Sequence, residues 1–104
     1  MKATPWEYQF PEIANIPNLS EQLAKVREEF GEVMDAYYNE EPPERLSIEL
    51  MDLISTAEQA QRILVECGVD LDAVKRDVIE KNDVRGYYGN PGKVTKLDSE
   101  ARAL

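Results

Sequence analysis

Residues 27–54 read REEFGEVMDAYYNEEPPERLSIELMDLI, and the main expectations about fold and chemistry start from this stretch. It contains two pairs of acidic residues, each pair three residues apart: Glu29 with Glu32, and Glu49 with Asp52. On an α-helix, residues three apart lie on one face. Two helices packed side by side would therefore bring four carboxylates together. Such a set of oxygen ligands favours a hard divalent cation.

The surrounding sequence predicts two long helices joined by a short turn. Asn18, with Glu21 three residues later, forms a capping box for the first helix, which we expect to end near Asn39. Pro43 is well placed to begin the second helix, which runs to about Cys67. Each helix carries one apolar stripe, which we expect to form the core. The stripes are Leu19, Leu23, Val26, Phe30, Val33 and Tyr37, then Leu46, Leu50, Leu53, Ile54, Ala57, Ala60 and Leu64.

The two acidic pairs occupy matching positions on these helices. Glu29 lies about 80° and Glu49 about 70° from the centre of its stripe, so both border the core. A short connection makes consecutive helices antiparallel neighbours. Glu32 is nine residues before residue 41 and Glu49 eight residues after it, which predicts equal heights. One acidic pair is usually a solvated face, but two matched pairs predict a site for Mg²⁺ or Mn²⁺.

A third, shorter helix is predicted between Asp70, as its cap, and Gly86, where it stops. Lys81 and Arg85, four residues apart, share a face at its C-terminal end. They either bind phosphate oxygens or complement the negative end of the helix dipole. Asn82 either donates to a phosphate, sugar or base, or helps to end the helix.

The segments outside the helices complete the predicted organisation. Prolines exclude a long helix in residues 1–17, which we expect to be an arm that lays its aromatic side chains on the helical body. Trp6 could instead line a ligand pocket, and Tyr88 either stacks on a base or packs against the first helix. The arm is followed by a helical domain over residues 18–89 and a tail over residues 90–104.

Composition limits the class of protein. At 104 residues the chain is one domain with a modest core, which would gain from burying more surface in an oligomer. A net charge of −9, from 21 acidic and 12 basic residues, argues against a partner that is a nucleic-acid polymer. The absence of histidine and the single Cys67 argue against zinc and disulfides and favour the cytoplasm. We expect no signal peptide and no membrane span, since no long apolar run occurs.

The acidic residues resemble the signature of a known family. Glu28-Glu29-x-x-Glu32, a spacer and Glu49-x-x-Asp52 resemble the EExxE…ExxD signature of the all-α nucleotide pyrophosphohydrolases, the MazG-like superfamily. Dimeric dUTPases, dCTP pyrophosphatases and phosphoribosyl-ATP pyrophosphohydrolases are relatives in that superfamily.

A second element strengthens the resemblance. Residues 81–88, KNDVRGYY, resemble the KNxxRGYY ending of short bacterial and phage MazG-like proteins. The resemblance covers residues 18–89 and includes a single acidic signature, unlike the tandem-domain form. It implies a helical bundle whose active site is completed by oligomerisation, as a homodimer or homotetramer.

The resemblance also implies an activity: Mg²⁺-dependent hydrolysis of a nucleoside triphosphate to the monophosphate and pyrophosphate. The metal ligands would be Glu29, Glu32, Glu49 and Asp52, and the substrate-binding residues Lys81, Asn82, Arg85 and Tyr88. Glu28 either positions the attacking water or is simply an exposed helix residue, because its place on the helix favours solvent. Two alternatives stay open: a phosphoribosyl-ATP-type pyrophosphohydrolase, and a non-catalytic helical module that binds metal or nucleotide.

Overall fold

The computed structural model describes residues 4–89, which contain three helices and no strand. The helices are α1 (Leu19–Tyr38), α2 (Pro43–Glu66) and α3 (Leu71–Val84). The predicted all-α class and the three main helices are confirmed. Residues 1–3 of the predicted arm, and the predicted tail over residues 90–104, lie outside the described residues. A segment able to span a membrane is not found among the helices of residues 4–89.

The helices begin and end where the local sequence supplies caps. The Asn18 side-chain oxygen accepts a backbone N–H three residues on at 2.9 Å, and Asp70 accepts one two residues on at 3.0 Å. Pro43 is the first residue of α2, where its missing N–H costs no helical hydrogen bond. Gly68 follows α2 with a φ of +100°, a backbone conformation that glycine adopts without strain.

The chain divides into two compact units. One is Glu7–Val69, which contains α1 and α2, and the other, within the described residues, is 4–6 with 70–89, which contains α3. In the first unit α1 and α2 pack against each other. The Gln22 side-chain amide, near the start of α1, donates to the carbonyl oxygen of Thr56, in the second half of α2, at 3.0 Å. This contact fixes an antiparallel pair, as the short turn predicted.

The face that α1 and α2 bury only partly coincides with the predicted apolar stripe, since Ala60 is buried and Val33 and Leu53 are half-buried. Leu23 and Phe30 are 51% and 50% exposed, and Leu50 and Ile54 are 43% and 46% exposed. The buried positions are polar or small: Gln22 and Ala36 in α1, and Glu49, Glu58, Gln59 and Ala60 in α2. The prediction that these four apolar residues form the core is therefore wrong. The packed face is rotated away from the centre of the stripe, because Gln22 and Glu49 are buried and each stands one residue before an exposed stripe residue.

A buried carboxylate on α2 holds the arm that precedes α1. Glu58 is only 3% exposed. Its two oxygens accept the backbone N–H groups of Gln9 and Phe10 at 2.9 to 3.1 Å. Because a buried carboxylate is costly unless hydrogen bonds satisfy it, these bonds fix the extended arm on the helix.

Two further α2 side chains complete this attachment, and with Glu58 we call them the arm clamp. Gln59 donates to the Pro11 carbonyl oxygen at 3.0 Å. Arg62 donates to the Phe10 carbonyl oxygen at 2.8 Å, and its guanidinium lies 4.0 Å from the centre of the Tyr8 ring. The expectation that the arm lays an aromatic ring on the helical body is confirmed for Tyr8.

Candidate metal site

Three of the predicted carboxylates come together where the second half of α1 meets the start of α2. Glu29, Glu32 and Glu49 each contribute one oxygen atom, and these three atoms lie within 4.8 Å of one another. We call these residues the acidic cluster. The i,i+3 spacing brings two of them to one face of α1, and the antiparallel turn brings the third to the same height.

Glu49 is the most enclosed member of the acidic cluster. Its side chain is 8% exposed, and its Oε1 forms an ion pair with the Arg45 guanidinium, one turn earlier, at 2.9 Å. Its Oε2 is buried and has no hydrogen-bond partner among residues 4–89. Within the same described range, Oε2 of the half-buried Glu29 is also buried without a partner. Buried polar atoms are almost always paired, so these two carboxylate oxygens are exceptions, each with room for a further partner in its hydrogen-bonding or metal-binding capacity.

The surroundings of Glu29 and Glu49 raise the pKa of both carboxyl groups. Burial raises the pKa of Glu29, and the charge of Glu32, a hydrogen bond with Glu32 that forms only when one of the two carboxyl groups is protonated, and the charges of Asp52 and Glu49 raise it further. Burial also raises the pKa of Glu49, and Glu32 and Asp52 add to this effect, while Arg45 opposes it. A bound cation would reverse both shifts, because it favours the ionised form of each group.

The donor set fits a hard divalent cation. It consists entirely of carboxylate oxygens, the ligands that Mg²⁺ and Mn²⁺ prefer, and it includes two buried oxygens with no other partner. Asp52, the fourth predicted ligand, is exposed one turn along α2 and lies outside the 4.8 Å cluster. Its charge contributes to the raised pKa values of Glu29 and Glu49. Glu28 is exposed on α1 and is not a member of the cluster.

The predicted phosphate-binding residues lie in the other unit, at the end of α3. Lys81 and Arg85 are both exposed, and the Arg85 backbone N–H donates to the Lys81 carbonyl oxygen at 3.1 Å, so the two residues are one turn apart. The Asn82 side-chain amide donates to the Tyr88 hydroxyl at 3.1 Å. The sequence element therefore forms a local structure with two accessible cations and a paired amide and phenol.

Two residues of this region were missed by sequence reasoning. Arg45 stands four residues before Glu49, a spacing that signals a helical ion pair and could have identified it. Gln22 stands seven residues before Glu29, two turns along the same face. It is only 1% exposed, but a polar residue is not expected to be buried from sequence alone. Its Oε1 is a third buried oxygen without a hydrogen-bond partner in the part of the chain that the structure describes.

Comparison with known protein families, with curated protein sequences and with solved structures finds no significant match to this chain. Function is therefore inferred from the acidic cluster, from the exposed basic residues and from the resemblance in the sequence.

Proposed function

We propose that this protein is a Mg²⁺-dependent nucleoside triphosphate pyrophosphohydrolase, which cleaves between the α- and β-phosphates and releases the monophosphate and pyrophosphate. The observation that carries the metal-dependent part is the acidic cluster, with its buried, unpartnered Glu49 oxygen. The choice of reaction comes from the resemblance of residues 28–52 and 81–88 to the MazG-like signatures.

In this proposal the acidic cluster holds Mg²⁺, with Mn²⁺ as a substitute, and Asp52 supplies a fourth carboxylate from the next turn of α2. When bound, the cation neutralises phosphate charge and lowers the pKa of a coordinated water. Glu28, exposed beside the cluster in sequence, positions the attacking water and accepts its proton, a role that needs no histidine. Phosphoryl transfer depends chiefly on positioning and electrostatics, which carboxylates fixed on two packed helices supply.

The basic element supplies the complementary charge for the substrate. Lys81 and Arg85 contact the phosphates, and arginine can bind two phosphate oxygens at once. Asn82 contacts the nucleoside, and Tyr88, already hydrogen-bonded to Asn82, stacks on the base. Support for these roles is the exposure of both cations in a chain with a net charge of −9.

The apolar face of the α1–α2 pair supports an oligomer. Leu23, Phe30, Leu50 and Ile54 are each more than 40% exposed, whereas the only buried hydrophobic residues in the described chain are Ala36, Ala60 and Leu71. So small a core gains most of its missing burial from another chain. In the proposal a second copy covers this face, as a homodimer or homotetramer, and completes the helical bundle around the site.

A substrate panel tests the proposal. Purified protein is incubated with each deoxynucleoside and ribonucleoside triphosphate, and with phosphoribosyl-ATP, with Mg²⁺ or with EDTA. We expect Mg²⁺-dependent release of pyrophosphate and monophosphate from at least one nucleoside triphosphate. Release of orthophosphate would contradict the proposed cleavage site. Turnover of phosphoribosyl-ATP alone would favour the phosphoribosyl-ATP-type pyrophosphohydrolase instead. Tight metal-dependent nucleotide binding without any turnover would favour the non-catalytic module.

A further inference from the structure

A positively charged side chain already occupies part of the acidic cluster. Arg45 Nη2 lies 2.9 Å from Glu49 Oε1. The two ends of this ion pair differ sharply in environment, because the arginine side chain is 53% exposed and the glutamate side chain is 8% exposed. A flexible, hydrated group therefore neutralises a carboxylate that is nine-tenths buried.

This ion pair differs from an ordinary surface pair. An exposed i,i+4 pair contributes little, because water screens both charges. Here the carboxylate is enclosed and stands beside two other carboxylates, so it needs a positive partner whenever it is ionised. The arginine leaves at small cost, since more than half of its side chain is already in water.

The arginine satisfies only one of the two Glu49 oxygens. The second, Oε2, is buried without a hydrogen-bond partner in residues 4–89, on a side chain that is nine-tenths buried. One guanidinium thus leaves the negative charge of the cluster incompletely neutralised. In a structural buried ion pair, by contrast, every polar atom has a partner.

We propose that Arg45 is a built-in counter-ion of the acidic cluster, which a divalent cation must displace from Glu49 before the site is loaded. This role rests on the proposed function, because it requires that the cluster binds a divalent cation. It makes Arg45 a residue that sets the affinity of the site for metal, rather than a ligand. The cation takes the oxygen that the guanidinium releases, and the freed guanidinium returns to water.

The chain offers a matched control. Lys25 stands four residues before Glu29 on α1, as Arg45 stands four residues before Glu49 on α2. Lys25 is exposed and makes no ion pair within the described range 4–89. Lys25→Gln and Arg45→Gln therefore remove the same charge at the same spacing from a cluster member, and only the second removes an ion pair.

The test is a calorimetric titration of the metal-free protein with Mn²⁺. We expect Arg45→Gln to bind Mn²⁺ about three- to tenfold more tightly than wild type, since a competing partner has been removed. Lys25→Gln should show a smaller change, and Arg45→Lys, which keeps a positive charge, should lie between wild type and Arg45→Gln. In EDTA, Arg45→Gln should unfold at a lower temperature than Lys25→Gln, and saturating Mn²⁺ should remove that difference.

The possible failures are distinguishable. If wild type binds Mn²⁺ and Arg45→Gln binds it no more tightly than Lys25→Gln does, the counter-ion role is overturned while the metal site stands. If Arg45→Gln does not fold, Arg45→Lys is measured instead. An affinity of Arg45→Lys for Mn²⁺ equal to that of wild type would then overturn the counter-ion role. If wild type does not bind Mn²⁺ at all, the proposed function and the role of Arg45 both fall.

Discussion

Helix α2 carries two buried glutamates whose surroundings are opposite. Glu58 is 3% exposed, and its oxygens accept backbone N–H groups from the arm. Glu49 is 6% exposed, but it has one arginine partner, one orphaned oxygen and nearby carboxylates of the same charge. Burial alone therefore does not indicate function. The carboxylate that the fold satisfies is structural, and the one that the fold leaves unsatisfied is the candidate ligand.

The largest expected effect is on turnover. We expect Glu32→Gln, Glu49→Gln and Asp52→Asn each to lower Mg²⁺-dependent pyrophosphate release by about 100-fold or more, because each removes charge that positions the cation. Glu58→Gln, measured at a temperature where it is folded, should keep turnover near wild type. Intact activity in any of these three variants would contradict the assignment of the substituted residue as a ligand.

The second effect is on stability. Here the substitution of Glu58 should have a larger effect than the substitution of Glu49, the reverse of their order for turnover. Glu58→Gln replaces an acceptor oxygen by an amide that points donors at backbone N–H groups, so it should lower the free energy of unfolding by about 1–3 kcal/mol. Glu49→Gln removes like-charge repulsion and should leave the metal-free protein as stable as wild type or more so. Chemical denaturation in EDTA measures both, and a larger loss for Glu49→Gln would reverse the comparison.

The third effect is the pH dependence of the metal-free protein. The pKa values of Glu29 and Glu49 are raised above the ordinary 4.5, so the folded state binds protons more tightly than the unfolded state. These groups therefore stabilise the fold below pH 4.5, and that stability is lost as the pH rises through their raised folded values. Thermal midpoints in EDTA should show this fall, and Glu29→Gln should reduce it. If Glu29→Gln leaves the change of thermal midpoint with pH unaltered, other groups cause the pH dependence.

The smallest effect concerns the helix that carries Glu29 and Glu32. Gly31 lies between them, and an added Cβ would meet nothing within 4 Å among the described residues. Gly31→Ala should therefore raise the free energy of unfolding by about 1 kcal/mol through helix propensity. Gel filtration in parallel would show whether this exposed position lies under a second copy, since a loss of both stability and assembly would place a partner there.

Local sequence signals predicted the helices and much of the candidate site. Asn18, Asp70 and Gly68 act within one turn of themselves, so spacing alone located the helix ends. The acidic cluster was predictable because i,i+3 spacing and a short turn fix the relative positions of Glu32 and Glu49.

The buried face and the arm clamp were not predictable in the same way. The exposure of Phe30 contradicts a rule that assigns an apolar stripe to the core within one chain, and the rule fails where small residues such as Ala36 allow another face to pack. Glu58 binds backbone N–H groups 48 and 49 residues away in the sequence. The periodicity of a helix reports only on contacts between nearby residues, so it cannot predict such a long-range contact.

The most direct measurement is a calorimetric Mn²⁺ titration of wild type, Glu49→Gln and Glu58→Gln, each first stripped of metal. We expect Glu49→Gln to weaken binding by about tenfold or more, since a ligand oxygen is lost, and Glu58→Gln to bind Mn²⁺ as wild type does. Equal affinities for wild type and Glu49→Gln would contradict the claim that the unsatisfied carboxylate of α2 binds a divalent cation.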